Sequence, residues 1–294
     1  MKRIIAAAVL LLSICSLSQA RPVAEKDSLY YNGSQRFYYL YIPEVLNPAK
    51  PLVMMLHGYG GNADGYCPVM LETAEREGFA VCIPQGLPDN TGKNCWNVGY
   101  PMQRDLKRDD ASYVCTLAQY IAESRHLNTR NMFLTGMSNG GEMCYTIAYR
   151  KPATFSAIAS IAGLIMHEMY KGEKPRGQVP FMEVHGTADK TSMWEGDLSG
   201  TGKYGNYISV PSAIAMMSSM NRCSQVKTVE LPLKSADSNK VTLYRHIGGD
   251  PAWEGGPDTE VWLYKIDGGK HNWGLADLDT CDKVWEFFKK YLRP

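Results

Sequence analysis

Apolar residues along this chain fall into short continuous runs that alternate with longer stretches of helical periodicity. Six runs have the length of buried strands, at 52–56, 79–83, 132–135, 157–162, 181–184 and 261–266. Helical patterns lie at 70–77, 111–122, 142–149, 212–220 and 284–291. Strands that are apolar on both faces are typical of a parallel sheet covered by helices on both sides. The pattern therefore predicts an α/β fold with a mostly parallel central sheet and no division into smaller domains.

Two further patterns predict antiparallel strands outside this core. The aromatic runs in SLYYNGSQRFYYLYIP are joined by Asn32-Gly33, the strongest short hairpin signal, so an N-terminal antiparallel hairpin is expected. Residues 227–248 contain two more strand-like runs, KTVELPL and KVTLYRHI, which are compatible with a side hairpin.

The N-terminus has the pattern of a cleaved export signal. Two basic residues precede the apolar run 4–14 and the small-residue site at 18–20. The run is too short to span a membrane, and bulky Ile14 before Cys15 disfavours lipid attachment. We therefore expect residues 1–20 to be a signal peptide and 21–294 to be one domain, in the periplasm or outside the cell.

Charge and composition narrow the class of partner. The chain has 31 basic and 30 acidic residues, a formal charge of +1 and no basic stripe. These features argue against a nucleic-acid partner or an anionic membrane surface and favour a neutral one. We expect a monomer.

Seven cysteines remain after the signal segment, and an oxidising compartment would pair some of them. The odd number requires at least one free thiol. Cys82, Cys115 and Cys144 lie in apolar patterns and are interpreted as small buried residues. Of those nearer element ends, Cys67 is predicted to pair with Cys95, and Cys223 with Cys281. No C-x-x-C is present, which argues against a cysteine-bound metal.

The segment TGMSNGG contains Gly136-x-Ser138-x-Gly140 between an apolar run and a helical pattern. In a strand-turn-helix context this spacing holds a serine on a sharp turn with its hydroxyl exposed. The string alone is a weak signal, and a tight turn with an N-capping serine would explain it equally well. Its weight depends on whether an acid, a base and an oxyanion loop follow other strands.

Such residues do follow three other strands. LHGYGGNADGY, after the strand ending at Leu56, is rich in glycines that can turn backbone N–H groups toward a developing negative charge, while His57 is interpreted as structural. Asp189 follows the strand of VPFMEVHGTADKTS. His271 follows the last apolar run, in VWLYKIDGGKHNWG.

Each of these signals has a structural explanation of its own. Asp189 alone would be a surface turn residue, and Asp267 is a competing acid that we place in a turn. His126, His167 and His246 are interpreted as inert. Serine, then acid, then histidine, each after a separate strand, is nevertheless the order of one class of serine hydrolase, the α/β-hydrolases.

On these residues the chain resembles the secreted polyhydroxybutyrate-depolymerase and feruloyl-esterase group of α/β-hydrolases, within the first family of carbohydrate esterases. The most specific matches are TGMSNGG, HGTAD and the G-G-x-H-x-W pattern that ends at Trp273. The resemblance implies Ser138 as nucleophile, Asp189 as acid and His271 as base. It also implies an oxyanion hole formed by the backbone amides of Tyr59 and Asn139, with Gly58 or Gly60 as alternatives to Tyr59.

The resemblance implies a serine esterase that needs no metal or organic cofactor. Its expected substrate is an esterified plant polysaccharide or oligosaccharide, with feruloyl esterase on arabinoxylan as the first hypothesis. Acetylxylan esterase, short-chain polyhydroxyalkanoate depolymerase and an acyltransferase of the same fold are the alternatives. Aromatic residues in or near the catalytic loops are candidates for substrate binding: Trp96, Trp194 and Trp273, with Tyr204 and Tyr207 nearby. Trp96 and Trp273 could equally brace these loops.

Overall fold

A computed structural model describes residues 22–294, so the predicted signal peptide at residues 1–20 lies outside the described part of the chain. The fold is built on one ten-stranded mixed sheet. Its strands are β1 (Glu25–Tyr31), β2 (Ser34–Tyr41), β3 (Leu52–Leu56), β4 (Ala80–Pro84), β7 (Met132–Met137), β8 (Ala157–Ile161), β9 (Phe181–Gly186), β10 (Gln225–Glu230), β11 (Val241–Ile247) and β12 (Val261–Ile266). A separate two-stranded ribbon pairs β5 (Leu87–Pro88) with β6 (Asn94–Cys95).

The centre of the sheet is parallel and both of its edges are antiparallel. The strand order is β1-β2-β4-β3-β7-β8-β9-β12-β11-β10. Strands β4 to β12 in this order run parallel to one another, whereas the pairs at either end are antiparallel. The predicted sheet and N-terminal hairpin are confirmed, and the second predicted hairpin extends the same sheet at its other edge.

Helices cover both faces of the sheet. They are α1 (Pro68–Glu77), α2 (Asp110–Ser124), α3 (Asn139–Arg150), α4 (His167–Gly172), α5 (Val210–Met220) and α6 (Thr280–Lys289). Helices α1 and α6 contribute to the apolar core on one face, and α2, α3, α4 and α5 to the core on the other. None of the helices formed by residues 22–294 combines the length and the apolar character that crossing a membrane requires.

Strand β3 shows why its apolar run is continuous. All five of its side chains are buried, and Leu52, Met54 and Leu56 join one core while Val53 and Met55 join the other. Alternation along a strand sends successive side chains to opposite faces, so a strand with a core on each side needs no polar position. The same geometry brings the carboxyl ends of the parallel strands to one edge, where the loops that carry the candidate residues meet.

The turn of the first hairpin follows its sequence. Asn32 and Gly33 have φ angles of +44° and +83°, the left-handed values that a two-residue turn of this type requires. Strand register then pairs Tyr31 with Ser34 and continues to Glu25 opposite Leu40.

The predicted cysteine pairs are wrong. None of the seven described cysteines is joined to another in this structure. Cys67 lies beside Cys281, with 3.8 Å between the sulfur atoms, and not beside Cys95. The Cys95 sulfur accepts hydrogen bonds from Gln103 and Arg108. Spacing along the chain carries no information about which helix ends meet on one face of the sheet, and this is why the pairing could not be derived from the sequence.

Candidate active site

Ser138 stands on a sharp turn between β7 and α3. Its φ angle is +56°, a strained value for a residue with a side chain. Gly136 and Gly140 are required around it, because a Cβ on Gly136 would lie 2.7 Å from Gly140 backbone atoms and one on Gly140 would lie 2.4 Å from the Leu56 carbonyl. Ser138 does not cap α3 through its side chain, so the alternative of an N-capping serine is not what the structure shows.

Three predicted residues meet at this turn. Ser138 Oγ lies 2.9 Å from His271 Nε2, and His271 Nδ1 lies 2.6 Å from Asp189 Oδ2. With Nδ1–H donating to the carboxylate, Nε2 is left free to accept the serine proton. Asp189 is buried, whereas the His271 side chain is 21% exposed at the mouth of the site.

The acid and base loops are held together by their backbones. Asp189 Oδ1 accepts the amides of Thr191 and Ser192, at 2.7 and 2.9 Å, which fixes the orientation of the carboxylate toward His271. Gly186 lies so close to the base loop that a Cβ there would be 2.2 Å from the Gly269 carbonyl. That carbonyl also accepts the Ala188 amide at 2.9 Å.

A buried ion pair that sequence reasoning missed lies behind Asp189. His185 Nδ1 contacts Glu183 Oε1 at 2.9 Å, His185 Nε2 contacts the Ser192 carbonyl at 2.8 Å, and both side chains are fully buried. Burial opposes the imidazolium, but the hydrogen bond and charge of Glu183 outweigh it, so the pKa of His185 is raised. Because a carbonyl oxygen only accepts, Nε2 carries a hydrogen, and a second proton lies between Nδ1 and the Glu183 carboxylate.

This pair also reaches the carboxylate that binds His271. His185 Nε2 lies 3.7 Å from Asp189 Oδ2, the oxygen that faces His271. The buried pair and the carboxylate that binds His271 therefore form one cluster of buried polar groups. The only sequence signal for it is a glutamate and a histidine placed among the apolar residues of β9.

The loop after β3 brings backbone amides to Ser138. A Cβ on Gly58 would lie 3.4 Å from Ser138 Cβ, so the loop passes directly beside the candidate nucleophile. The Gly60 amide donates to the Asn94 carbonyl at 2.7 Å and is therefore engaged elsewhere. The amides of Tyr59 and Asn139 have no hydrogen-bond acceptor among residues 22–294. Of the alternatives for the first oxyanion donor, Gly60 is thus disfavoured, whereas Tyr59 and Gly58 both remain, since the Gly58 amide also has no acceptor among residues 22–294.

His57 supports this loop from below. It is buried, and its Nε2 accepts the Gly86 amide at 2.9 Å. Nδ1 must then carry the hydrogen, which it donates to the Gly58 carbonyl at 2.8 Å. Burial lowers the pKa of His57, which keeps the imidazole neutral. His57 thus has the structural position that its place in the turn predicts.

Trp96 does not contact substrate space, contrary to its inclusion among the substrate-binding candidates. Its side chain is 0% exposed, and its Nε1–H donates to the His57 carbonyl at 2.9 Å. Its backbone N–H and carbonyl bind the side chain of Asn139. Trp96 therefore braces both segments that supply the candidate oxyanion amides.

Partly exposed aromatic rings do border the site. Tyr59 and Tyr204 lie with their ring centroids 5.8 Å apart, and both contact the buried ring of Tyr100. The Tyr59 hydroxyl donates to Asp89 at 2.6 Å, which fixes its ring beside the oxyanion loop. Below them the Tyr100 hydroxyl donates to the buried Glu142 carboxylate, and burial raises the pKa of Glu142 to about 7.

Trp194 and Trp273 keep part of their surface exposed, unlike Trp96. Trp194 contacts the edge of His185, and Lys265 lies over its ring at 5.9 Å. Trp273 contacts Tyr66, at 6.1 Å between centroids. Both remain candidates for contact with substrate.

Tyr207 is buried and braces the acid loop. Its hydroxyl donates to the Thr191 carbonyl and accepts the Met193 amide, each at 3.3 Å. It therefore supports the segment that holds Asp189 and offers no accessible ring face.

The competing residues lie in other environments. Asp267 forms an ion pair with Lys265 at 2.6 Å, as befits a residue in the turn after β12. His126 lies in the turn after α2, His167 begins α4, and His246 in β11 contacts Ser218 at 3.0 Å. The hydrogen bonds of the Ser138 site involve none of these four residues.

The chain is similar to known esterases in sequence and in structure. The model of the family described as esterase PHB depolymerase matches residues 36–175, a segment that includes Ser138 and ends before Asp189 and His271. The chain is 24% identical over 264 residues to the bifunctional acetylxylan esterase/xylanase XynS20E of Neocallimastix patriciarum, covering 88% of this chain and 34% of that protein. It is 25% identical over 173 residues to feruloyl esterase C of Emericella nidulans, and the match covers 56% of this chain and 58% of that protein.

The chain thus spans between about a third and three fifths of the length of these relatives. Among solved structures, it is similar to the acetyl xylan esterase from Aspergillus awamori, with a TM-score of 0.58 and 18% identity. The match covers 90% of this chain and 99% of that one. Thermogutta terrifontis esterase 2 gives a TM-score of 0.57 at 14% identity, with coverage of 94% and 98%. These likenesses establish the α/β-hydrolase fold.

Proposed function

We propose that this chain, whose residues 36–175 match the family model described as esterase PHB depolymerase, is a serine esterase that cleaves ester-linked side groups from plant cell-wall polysaccharide. The observation that carries the proposal is the hydrogen-bonded chain from Ser138 through His271 to Asp189. Residues 21–294 act as one catalytic domain, exported to the periplasm or the medium.

In the proposed reaction His271 Nε2 takes the Ser138 proton as Oγ attacks the ester carbonyl. Asp189 holds the imidazole in the required tautomer and stabilises the imidazolium that forms. The amides of Tyr59 and Asn139 bind the oxyanion, and the Asn139 amide also carries the positive end of the α3 dipole. His271 then protonates the leaving alcohol, and water deacylates Ser138 by the same route in reverse.

For the acyl group, feruloyl ester on arabinoxylan is the first hypothesis and acetylxylan the second. The partly exposed rings of Tyr59, Tyr204, Trp194 and Trp273 support a flat aromatic acyl group or a sugar ring beside Ser138. Similarity to a feruloyl esterase and to acetylxylan esterases supports both. The family name also keeps short polyhydroxyalkanoate oligomers as a third substrate.

The nucleophile is tested by Ser138→Ala, which should reduce kcat on 4-nitrophenyl acetate by at least ~10³-fold. A fluorophosphonate probe should label the wild-type chain at Ser138 and leave the variant unlabelled. A variant of near-normal turnover, or a wild type that is not labelled, would exclude the proposed mechanism.

The substrate is tested by parallel rates on methyl ferulate, acetylated xylan and hydroxybutyrate oligomers. The first hypothesis requires the highest kcat/KM on the ferulate ester, and a clear preference for either other substrate replaces it. Product analysis with an added sugar acceptor distinguishes hydrolysis from acyl transfer, since a transferase would form the new ester in preference to the free acid.

A further inference from the structure

The thiols of Cys67 and Cys281 face each other where α1 and α6 begin. Their sulfur atoms are 3.8 Å apart, and the two residues are 214 positions apart in sequence. The sulfur atoms of a disulfide are separated by about 2 Å, so a side-chain movement of about 2 Å would join them. The other described cysteines have no cysteine sulfur as a hydrogen-bond partner.

Cys67 is also an unusual residue for its position. It is the N-cap of α1 with a φ angle of +46°, in the left-handed region, and its side chain makes no capping hydrogen bond. Serine, threonine, aspartate, asparagine or glycine is preferred at such a cap. A cysteine that gives up this stabilisation at a strained backbone position indicates a role for the sulfur itself.

We propose that Cys67 and Cys281 form a disulfide bond in the exported protein. The two helices are already held side by side, because Asp282 accepts hydrogen bonds from Thr73 at 2.7 Å and from Arg76 at 2.5 Å. Further along, Glu77 accepts from Trp285 at 2.9 Å and from Lys289 at 3.0 Å. The cross-link therefore closes an interface that is already formed.

The bond requires an oxidant, which we name as the disulfide form of a dithiol–disulfide oxidoreductase. The half-buried Cys67 is accessible, and the hydrogen bond from Cys281 lowers the pKa of its thiol, so Cys67 forms the first thiolate. It attacks the oxidant's disulfide to form a mixed disulfide, and the Cys281 thiolate then displaces the oxidant. The two cysteines lose two protons and two electrons, and the oxidant is released as a dithiol.

This bond would join the two loops that surround the proposed nucleophile. Tyr66, next to Cys67, packs on Trp273, two residues after His271. The oxyanion loop ends at Cys67, and the base loop leads into α6, where Cys281 is the second residue. The inference rests on the two thiols and their helices, and it holds whichever ester the protein cleaves.

Peptide mapping tests the bond directly. The full chain is exported through its own N-terminal segment, free thiols are blocked with N-ethylmaleimide in denaturant, and peptides are analysed by mass spectrometry without reduction. The expected result is a Cys67–Cys281 cross-linked peptide, with maleimide on the other cysteines. Maleimide on both Cys67 and Cys281, or a cross-link from either to another cysteine, would overturn the proposal.

Thermal unfolding provides a second measurement that does not depend on mapping. Dithiothreitol should lower the Tm of the wild type by roughly 5 °C or more, because the bond closes a long loop. Cys67→Ser and Cys281→Ser should each remove this response. Cys223→Ser is the matched control, and dithiothreitol should still lower the Tm of this variant. If dithiothreitol no longer lowered it, the result would instead support the Cys223–Cys281 pair.

Discussion

The side-chain amide of Asn139 binds both backbone groups of Trp96, accepting from its N–H at 2.7 Å and donating to its carbonyl at 3.0 Å. The residue that follows the nucleophile is thereby fixed to the segment that supports the oxyanion loop. Hydrogen-bond donors stabilise a developing charge only when they are preorganised toward it. The orientation of the two candidate donors, the amides of Tyr59 and Asn139, therefore depends on this buried contact.

Trp96→Phe should impair catalysis without changing substrate preference. The substitution removes the indole N–H that satisfies the His57 carbonyl, and an unsatisfied buried acceptor costs about 1–3 kcal/mol. We expect kcat/KM to fall roughly 10-fold, and by the same factor on 4-nitrophenyl acetate and methyl ferulate, because small misplacements of catalytic groups are costly.

Trp194→Ala is the comparison for this substitution, since Trp194 keeps an exposed surface. It should reduce the rate on methyl ferulate more than the rate on the acetate ester. A Trp96→Phe variant that lost activity on ferulate alone would show that this ring contacts the acyl group after all.

Gly140→Ala should prevent formation of the nucleophile turn. The added Cβ would lie 2.4 Å from the Leu56 carbonyl and 2.8 Å from that of His57, both backbone atoms of the oxyanion segment. We expect loss of several kcal/mol of stability or insoluble protein, measured by thermal unfolding and soluble yield. Gly172→Ala, where a Cβ meets nothing within 4 Å, is the control and should leave both unchanged.

Glu183→Gln should destabilise the fold because it removes the counterion of a buried imidazolium. Breaking a fully buried pair from one side costs about 3–5 kcal/mol, which urea unfolding at neutral pH would measure. Glu286→Gln removes one partner of the Lys283 pair, which is 2.7 Å long but largely exposed. The free energy of unfolding should change by less than about 1 kcal/mol in that control. Equal effects of the two substitutions would contradict the buried pair.

Glu142→Gln should change how stability depends on pH. Burial raises the pKa of Glu142 from 4.5 to about 7, so between these values the native chain keeps a proton that the unfolded chain has lost. Wild-type stability from this group is fully present below pH 4.5 and is lost as pH rises through about 7. The glutamine variant cannot lose a proton here. The difference between its free energy of unfolding and that of the wild type should therefore increase by on the order of 3 kcal/mol from pH 4 to pH 8. An advantage that is constant with pH would show that Glu142 is ionised throughout.

The strands of the central sheet could be predicted from the sequence because burial on both faces leaves a continuous apolar run, as in Leu52–Leu56. The grouping of Ser138, Asp189 and His271 could be predicted because each residue follows such a run, and the ends of parallel strands lie together at one edge of the sheet. Short helix α4 was not predicted, since six residues are too few to show helical periodicity.

Contacts between polar groups inside the core were beyond sequence reasoning. His185 and Glu183 lie on a buried strand, where only the fold reveals that they form a pair. Tryptophan is a residue type that often stacks on ligands, but Trp96 is buried by loops that are distant from it in sequence. Cys67 and Cys281 meet only because α1 and α6 pack on the same face of the sheet.

The proposed base is a late addition to the site, since His271 lies 133 residues after Ser138. It reaches the serine from the end of β12, and α6 then covers the sheet beside it. A chain growing from its N-terminus therefore presents the Ser138 turn long before any imidazole can activate it. Until the last strand and helix are added the serine is an ordinary alcohol, so a nascent or C-terminally truncated chain would be inert toward esters.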